Sequence, residues 1–392
     1  MIAWNLHRTP HRQVFPIGID LGHDSLKLIQ LERIGNQLRV RSSLRYRREQ
    51  STESLGSDRM ARVLRRLVRC GNFVGRSVVT AVPWRALHTK NLRLPPMDSV
   101  QTRAAVECDA PALLGFNAGE GRIQYLTAGQ VRQGGQSGQG GQTHQELIVL
   151  GTRHQDMDAH LQQLEQASVT ATAVDTEPTA LFRCAYHLLR QEARDVCVLV
   201  DIGLWRTQVL IGHHAQPSFF KAIDIGGQHL TQAVSRKLGI TPDEAKALRQ
   251  RLAQSSGTQE TVRQAVFDAT RSTLLELGRE LSLCLRYYAV TFRGFRPRTM
   301  HLCGGEAMDP QLQQALAHTL SLSVEAAAPL AHVDASAMCA DRSALASEWC
   351  LAMGLALRFA TLPPADAVPS GDRVHDALEA NESLIQGETA HV

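Results

Sequence analysis

Twice in this 392-residue chain, an apolar run of strand type ends in Asp-x-Gly and is followed by two more strand-type runs. The first instance is VFPIGIDLG at residues 14–22, with DSLKLIQLER and NQLRVRSSLRYR behind it. The second is CVLVDIG at residues 197–203, with RTQVLIG and PSFFKAID behind it. The two aspartates, Asp20 and Asp201, lie nearly half a chain apart. A repeat on that scale calls for two similar α/β units. One core could not serve, because single cores stop growing at about 250–300 residues. A hydrophobic content of 43% is enough to fill two or three packed units.

Behind the first three runs, SDRMARVLRRLVRC places Met60, Val63, Leu64, Leu67 and Val68 at helical spacing. Most of its arginines fall on the opposite face, and Ser57 can cap its N-terminus. The strand SVVTAVP follows, so the order β-β-β-α-β is readable directly. Residues 89–171 have another character. NLRLPPM, GRIQYLTAG and QELIVLGT read as strands, with helices from Ser99 and over DMDAHLQQLEQAS. Between two of the strands lies VRQGGQSGQGGQTH, a Gly/Gln-rich segment expected to be an exposed, mobile loop.

The expected layout is a flexible arm over 1–13 and a first unit over 14–88 and 172–195, closed by a helix at 346–360. A small α+β insertion spans 89–171 with its loop at 131–143. A second unit spans 196–345, and a disordered acidic tail spans 361–392. In the second unit, TPDEAKALRQRL carries a strong helix start, with Thr241 as N-cap, Pro242 at N1 and Glu244 at N3.

The composition excludes several classes. The net charge of +4 is too small to indicate nucleic-acid binding. The eight cysteines include no C-x-x-C pair and no zinc spacing, and read as core residues of a reduced, cytosolic protein. No run approaches the roughly 20 apolar residues of a membrane span. MIAWNLHRTPHRQ at the N-terminus does not read as a secretory signal.

Three glycine turns behind apolar strands carry the chemistry: residues 18–25, residues 200–203, and Leu302-Cys303-Gly304-Gly305-Glu306. A tight turn with glycine lets successive N–H groups converge, and such a concavity binds phosphate. An aspartate ending the strand sits beside those phosphates. It suits Mg²⁺ held through water, because that ion keeps much of its hydration. Asp20 and Asp201 are the candidates. The third turn brings backbone close to a flat group such as adenine or ribose. No P-loop and no strand-linked G-x-G-x-x-G occurs.

The triple pattern resembles the actin, heat-shock-70 and hexokinase superfamily. Longer segments resemble the type IV pilus assembly PilM family. IGIDLGHDSLKLIQLER is similar to that family's opening. LRLPPM and QELIVLGTRHQDMDAHLQQLEQASVTATAVDTEPTAL are similar to its inserted subdomain and return strand. FFKAIDIGGQHLTQAVSRKLGITPDEAKALR, CGGEAMDPQLQQALAHTLSLSVEAAAP and LAMGLALR are similar to its second unit and end. The resemblance covers residues 15–359 and implies an α/β fold, an actin-like (ribonuclease H-like) duplicated core with an inserted small α+β subdomain.

The same resemblance implies ATP or ADP with Mg²⁺. Gly22, His23, Asp24 and Ser25 would form the first phosphate turn, with Lys27 behind it. Asp201, Gly203 and Thr207 would form the second, and Gly226 and Gly227 would lie near the nucleotide at a helix start. Gly304, Gly305 and Glu306 would form the adenosine turn, with Glu244 and Lys246 lining the base side. Glu177 stands where related ATPases orient the attacking water. His23 and Leu204-Trp205-Arg206 are bulkier than the family pattern, which points to a slow ATPase at most. The implied partner is the N-terminal cytoplasmic peptide of a PilN-like inner-membrane protein, among other pilus or secretion platform proteins. The membrane would be reached only through that partner, from the cytoplasmic side. The competing readings are an active phosphotransferase or ATPase and a cell-division FtsA-like protein. The latter usually carries a C-terminal amphipathic helix, whereas here six acidic residues and one arginine follow residue 362.

Overall fold

The computed structural model describes residues 12–48, 57–117, 119–132, 143–188, 196–213, 216–254, 260–292, 296–338 and 346–360. The arm up to residue 11, residues 133–142 of the Gly/Gln segment and the tail 361–392 lie outside the described residues. The first half contains β1 (Arg12–Leu21), β2 (Ser25–Ile34), β3 (Gln37–Arg47), α1 (Ser57–Cys70), β4 (Ser77–Ala81), β5 (His88–Leu94) and α2 (Ser99–Leu114). β6 (Gly121–Arg132), β7 (Thr143–Arg153), α3 (His154–Gln166), β8 (Thr170–Asp175) and α4 (Glu177–Leu188) follow. The second half contains β9 (Cys197–Ile202), β10 (Thr207–His213), β11 (Gln216–Ile223), α5 (Gly227–Leu238), α6 (Pro242–Gln254) and α7 (Glu260–Phe292). It ends with β12 (Thr299–Cys303), α8 (Pro310–Leu320), β13 (Ser323–Ala326) and α9 (Cys350–Ala356), the last flanked by single 3-10 turns.

The repeat read in the sequence is present in the topology. One sheet runs β3-β2-β1-β4-β8 and the other β11-β10-β9-β12-β13. In both, the first three strands form an antiparallel meander. The last two strands join parallel to the middle strand. Asp20 and Asp201 are each the next-to-last residue of that middle strand. The equivalent ends of the two sheets therefore carry the same acid.

The strands read as near-continuous apolar runs because both faces of each sheet are covered. Leu26 and Leu28 of β2 join a core with Met60 and Leu64 of α1, while Ile29 and Leu31 join the central core. On β9, Val198, Val200 and Ile202 face the core with Leu277 and Leu281 of α7, while Leu199 faces the centre. The central layer consists of α4 and α9, through Leu181, Cys184, Ala185, Cys350, Ala352, Met353 and Ala356.

These two helices cross closely. A Cβ on Gly354 would lie 1.9 Å from the carbonyl oxygen of Ala180. Arg183 donates to the Gly354 carbonyl at 2.7 Å and to Asp175 at 2.9 Å, and Arg358 reaches Asp175 at 3.0 Å. Burial would raise the Asp175 pKa, but the two guanidiniums and the Thr179 hydroxyl hold it down at about 2.

The insertion forms a three-stranded antiparallel sheet, β5-β7-β6, with Val106, Ala110 and Leu114 of α2 packed on Leu147 and Val149 of β7. Helix α3 packs with α1 instead, through Leu164 and Ala167, although the sequence grouped it with residues 89–171. The insertion also meets the second unit, where buried Glu146 accepts from the Tyr287 hydroxyl at 2.9 Å and from Arg93 at 2.8 Å.

Replacing Gly354 by alanine forces α4 and α9 apart. Thermal unfolding is expected to show a loss of about 1–3 kcal/mol, the usual cost of overpacking. Gly305→Ala, whose Cβ meets no atom within 4 Å, is expected to leave stability unchanged.

Candidate functional site

The site begins with a cross-strand pair. Asp20 and Lys27 stand opposite each other on β1 and β2, both buried, and their ion pair measures 3.1 Å. Burial opposes the Lys27 charge, but Asp20, Glu348 and Asp201 together raise its pKa. On the second unit, Asp201 lacks so direct a counterion. Burial and the nearby Asp20 charge push it up to about 6, against Lys27 and Arg206.

Glu177, the first residue of α4, is the third acid of this floor. It accepts from the Arg206 guanidinium and, at 2.7 Å, from the Gln208 amide. Gln208 is placed to reach it because it pairs with Asp201 across β9 and β10. Burial pushes Glu177 up to about 7; Arg206 opposes this, while Asp201 and Asp20 reinforce it. The floor thus holds more negative charge than its neighbours neutralise.

The rim is cationic. In the first turn, Arg48 donates to the carbonyls of Gly22 and His23 at 3.2 and 3.4 Å. His23 accepts at Nε2 from the Trp84 indole N–H at 3.0 Å. Burial, then Arg48, Arg85 and Arg206, lower its pKa to about 4, so it is neutral at pH 7. Arg206 lies 4.9 Å from the Trp84 ring centre and Arg85 lies 5.0 Å from it. Asp24 receives Lys246 of α6 at 2.6 Å, a contact from one unit to the other. Burial would raise the Asp24 pKa, but the Lys246 pair outweighs it and the result is a lowered value. Ser25 is buried beside this pair.

The second turn is tied down by backbone. Gly203 N–H donates to the Arg206 carbonyl at 2.9 Å, and Gly227 and Gln228 N–H donate to the carbonyls of Gly203 and Leu204 at 2.9 and 2.7 Å. Gly226 N–H donates to His229 Nδ1 at 3.1 Å. The buried Thr207 hydroxyl donates to the Ile225 carbonyl at 2.6 Å. These groups hold the turn against the start of α5. Trp205 is 40% exposed, so the bulk noted in Leu204-Trp205-Arg206 reaches the crevice through Arg206.

In the third turn Gly304 has φ +89°, and a Cβ there would lie 2.4 Å from the Ile202 carbonyl and 2.5 Å from the Asp201 carboxylate. Glycine is required for the turn to pass that close to Asp201. Gly305 faces open space. Glu306 pairs with Arg249, which also donates to the Gly227 carbonyl and Thr231 hydroxyl at 3.1 Å each. Glu244 is exposed and completes the capping box of α6, accepting from Thr241 N–H and hydroxyl at 2.8 Å each. Lys246 and Arg249 are three residues apart and so share a helix face. That spacing in TPDEAKALR was the available signal for Arg249. Arg206 was marked in the sequence only as part of the bulk of Leu204-Trp205-Arg206, and no local pattern announced Trp84 or the buried Glu348, which pairs with Arg45 at 2.9 Å.

Among the described residues, no group of three His, Cys, Asp or Glu side chains could hold a metal ion directly. Asp201, without a direct counterion, and Asp20 beside it suit instead a cation that keeps its water shell, as Mg²⁺ does.

A family profile described as type IV pilus assembly protein PilM matches residues 18–360. The chain belongs to that family. Among solved structures, a chain of a PilM–PilN type IV pilus biogenesis complex is similar over 88% of this chain and 98% of its own, at 21% identity and TM-score 0.72. The ethanolamine utilization protein EutJ from Carboxydothermus hydrogenoformans is similar over 88% of this chain and 89% of its own, at 12% identity and TM-score 0.50. These likenesses bear on the fold, which is the duplicated actin-like α/β core expected for the family.

The Glu177 environment predicts a pH signature. A carboxyl whose folded pKa exceeds its unfolded value contributes stability in full below the unfolded value, near 4.5. It loses that contribution as the pH rises to about 7. Over that window the wild type is expected to lose about 1–3 kcal/mol relative to Glu177→Gln. Denaturant titrations of both proteins across the range would read the difference directly.

Proposed function

We propose that this chain is a cytoplasmic, nucleotide-binding scaffold of a type IV pilus or related type II secretion assembly. The observation that carries the nucleotide part is the division of charge in the crevice. Asp20, Asp201 and Glu177 form an acidic floor, and Arg48, Arg85, Arg206 and Lys246 line the rim around the first turn. A hydrated Mg²⁺ with a phosphate chain complements that division. Asp20 and Asp201 would hold the ion through its waters. Gly22, His23, Asp24, Ser25 and Lys27 on one side and Gly203 and Thr207 on the other would bracket the phosphates. Gly304, Gly305 and Glu306, with Gly226, Gly227 and Lys246, would line the nucleoside. Mg²⁺ bound there would supply charge neutralisation for the phosphates.

A scaffold, rather than a phosphotransferase, is favoured by the state of Glu177. A base that orients water or a hydroxyl must be free to accept its proton. Here Arg206 and Gln208 occupy the carboxylate. The membership in a pilus assembly family supports the setting, and the similar complex contains PilM with PilN. By analogy, the partner is the N-terminal cytoplasmic peptide of a PilN-like membrane protein, docked between the inserted unit and the first unit. Val100 and Leu113 of α2 stand exposed on the inserted unit at 77% and 37%. No described helix is long and apolar enough to cross a membrane, so attachment through a partner fits this reading.

Calorimetric titration with Mg²⁺ and either ADP or a non-hydrolysable ATP analogue tests the nucleotide part, with phosphate release followed in parallel for ATP. Binding weakened about tenfold or more in Asp201→Asn, with negligible release, is the expected outcome; that loss equals about 1.4 kcal/mol. Turnover stimulated by a small hydroxylated acceptor would overturn the scaffold in favour of a kinase. A synthetic peptide from the cytoplasmic N-terminus of the membrane partner, titrated in the same instrument, tests the docking part. Val100→Glu is expected to weaken that peptide without altering nucleotide binding.

A further inference from the structure

We propose that Arg206 is the residue by which this crevice distinguishes a nucleoside triphosphate from a diphosphate, exchanging its ion pair with Glu177 for one with the terminal phosphate. The inference rests on the nucleotide reading above and assigns a specific task to one of the rim cations named there.

Three observations lead to it. The first is anchorage. The Arg206 carbonyl closes the second turn by accepting from Gly203 N–H at 2.9 Å, and the next residue, Thr207, is fully buried and bonded to the Ile225 carbonyl. The root of the side chain is therefore fixed, while its long arm is free to choose among partners within reach.

The second is position. From the second unit, the guanidinium reaches Glu177 at the start of α4 and stacks on Trp84, which follows β4 in the first unit. Trp84 in turn donates to His23 of the first turn. Arg206 thus lies between the two turns that would clamp a phosphate chain, and its side chain is only 15% exposed. An arginine offers a planar fork that matches phosphate oxygens in two-point contact, so this is the favoured cation for such a place.

The third is the quality of its present partner. Glu177, its side chain 15% exposed, lies near Asp201 and Asp20, and its pKa is pushed up to about 7. A carboxylate crowded by two further acids and shared with the Gln208 amide is a weak counterion. A terminal phosphate carries more charge, and a bound cation would offset its repulsion from Asp20 and Asp201. The exchange is therefore favourable when a third phosphate is present and has no driving force when it is absent.

A purely structural Arg206–Glu177 pair makes a different prediction from a sensing one. Equilibrium titrations of ADP and of a non-hydrolysable ATP analogue, both with Mg²⁺, would be run on the wild type, Arg206→Ala, Arg206→Lys and Glu177→Gln. Sensing predicts that Arg206→Ala loses about tenfold or more in triphosphate affinity, the size of a lost charge-assisted hydrogen bond, while ADP affinity is kept. Arg206→Lys is expected to recover part of the preference. Glu177→Gln, which removes the competing charge, is expected to tighten the triphosphate alone. Trp84 gives a second readout: the triphosphate, unlike ADP, should alter the tryptophan emission, and the change should vanish in Trp84→Phe. Equal weakening of both nucleotides in Arg206→Ala, or an unchanged ratio, would overturn the inference while leaving the nucleotide site standing. If the wild type binds neither nucleotide, the site reading and this inference fall together.

Discussion

The crossing of α4 and α9 at Ala180 and Gly354 is the constraint on which the rest depends. These two helices are the filling between the sheets. Their separation sets how far apart the two middle strands stand, and the absence of a side chain at Gly354 lets them approach closely. Asp175 secures the arrangement from within, holding Arg183 of α4 and Arg358 beyond α9 on one carboxylate. A buried carboxylate with two guanidiniums and a hydroxyl is satisfied, so removing one partner would cost far more than the pair contributes. That geometry brings Asp20 near enough to Asp201 to raise the proton affinity of Asp201, and without it the two turns would not form one site.

The crevice follows an electrostatic logic that its apolar walls amplify. Charges in a low-dielectric setting interact strongly, so three acids on the floor cannot all be comfortable as anions. Lys27 relieves Asp20, Arg206 partly relieves Glu177, and Asp201 is left with the least direct compensation. At the rim the imbalance reverses: His23 is kept neutral where burial and three arginines disfavour a further positive charge. An arrangement with acid below and arginine above stores unfavourable energy of both signs at short range, the usual mark of a place built for a ligand rather than for stability.

Much of the fold was legible because it rests on local rules. Strands covered on both faces gave apolar runs, the α1 face appeared at Met60, Leu64 and Leu67, and the α6 cap followed from Thr241 and Glu244. The placement of Asp20 and Asp201 at strand ends followed from the Asp-x-Gly pattern. The assignment of α3 was harder, because Leu164 and Ala167 mark a buried face without saying which sheet buries it. The site's long side chains were harder still. Arg206 meets Glu177 and Trp84, and Arg249 meets Glu306, only through tertiary contact. The bulk at Leu204-Trp205-Arg206 was visible as a departure from the family pattern. Which of the three side chains enters the crevice depends on the register of the β9–β10 turn, and that is not written in composition or spacing.

The two ends of the inter-unit contact differ in kind, and this difference bears on how the molecule responds to a ligand. Around α4 and α9 the contact is apolar and close, with little room for adjustment. At the mouth, the named contacts between units are Lys246 with Asp24, Arg206 with Glu177, and Arg206 over Trp84. The partly exposed Lys246–Asp24 pair contributes little, whereas the mostly buried Arg206–Glu177 pair exchanges readily only when another anion takes the place of the carboxylate. Apolar packing around α4 and α9 leaves little room for motion, while the mouth is held by charged contacts. Helix α4 runs from the mouth, beginning at Glu177, into the helix crossing that holds the units together, so one element joins the charged end of the contact to the apolar one.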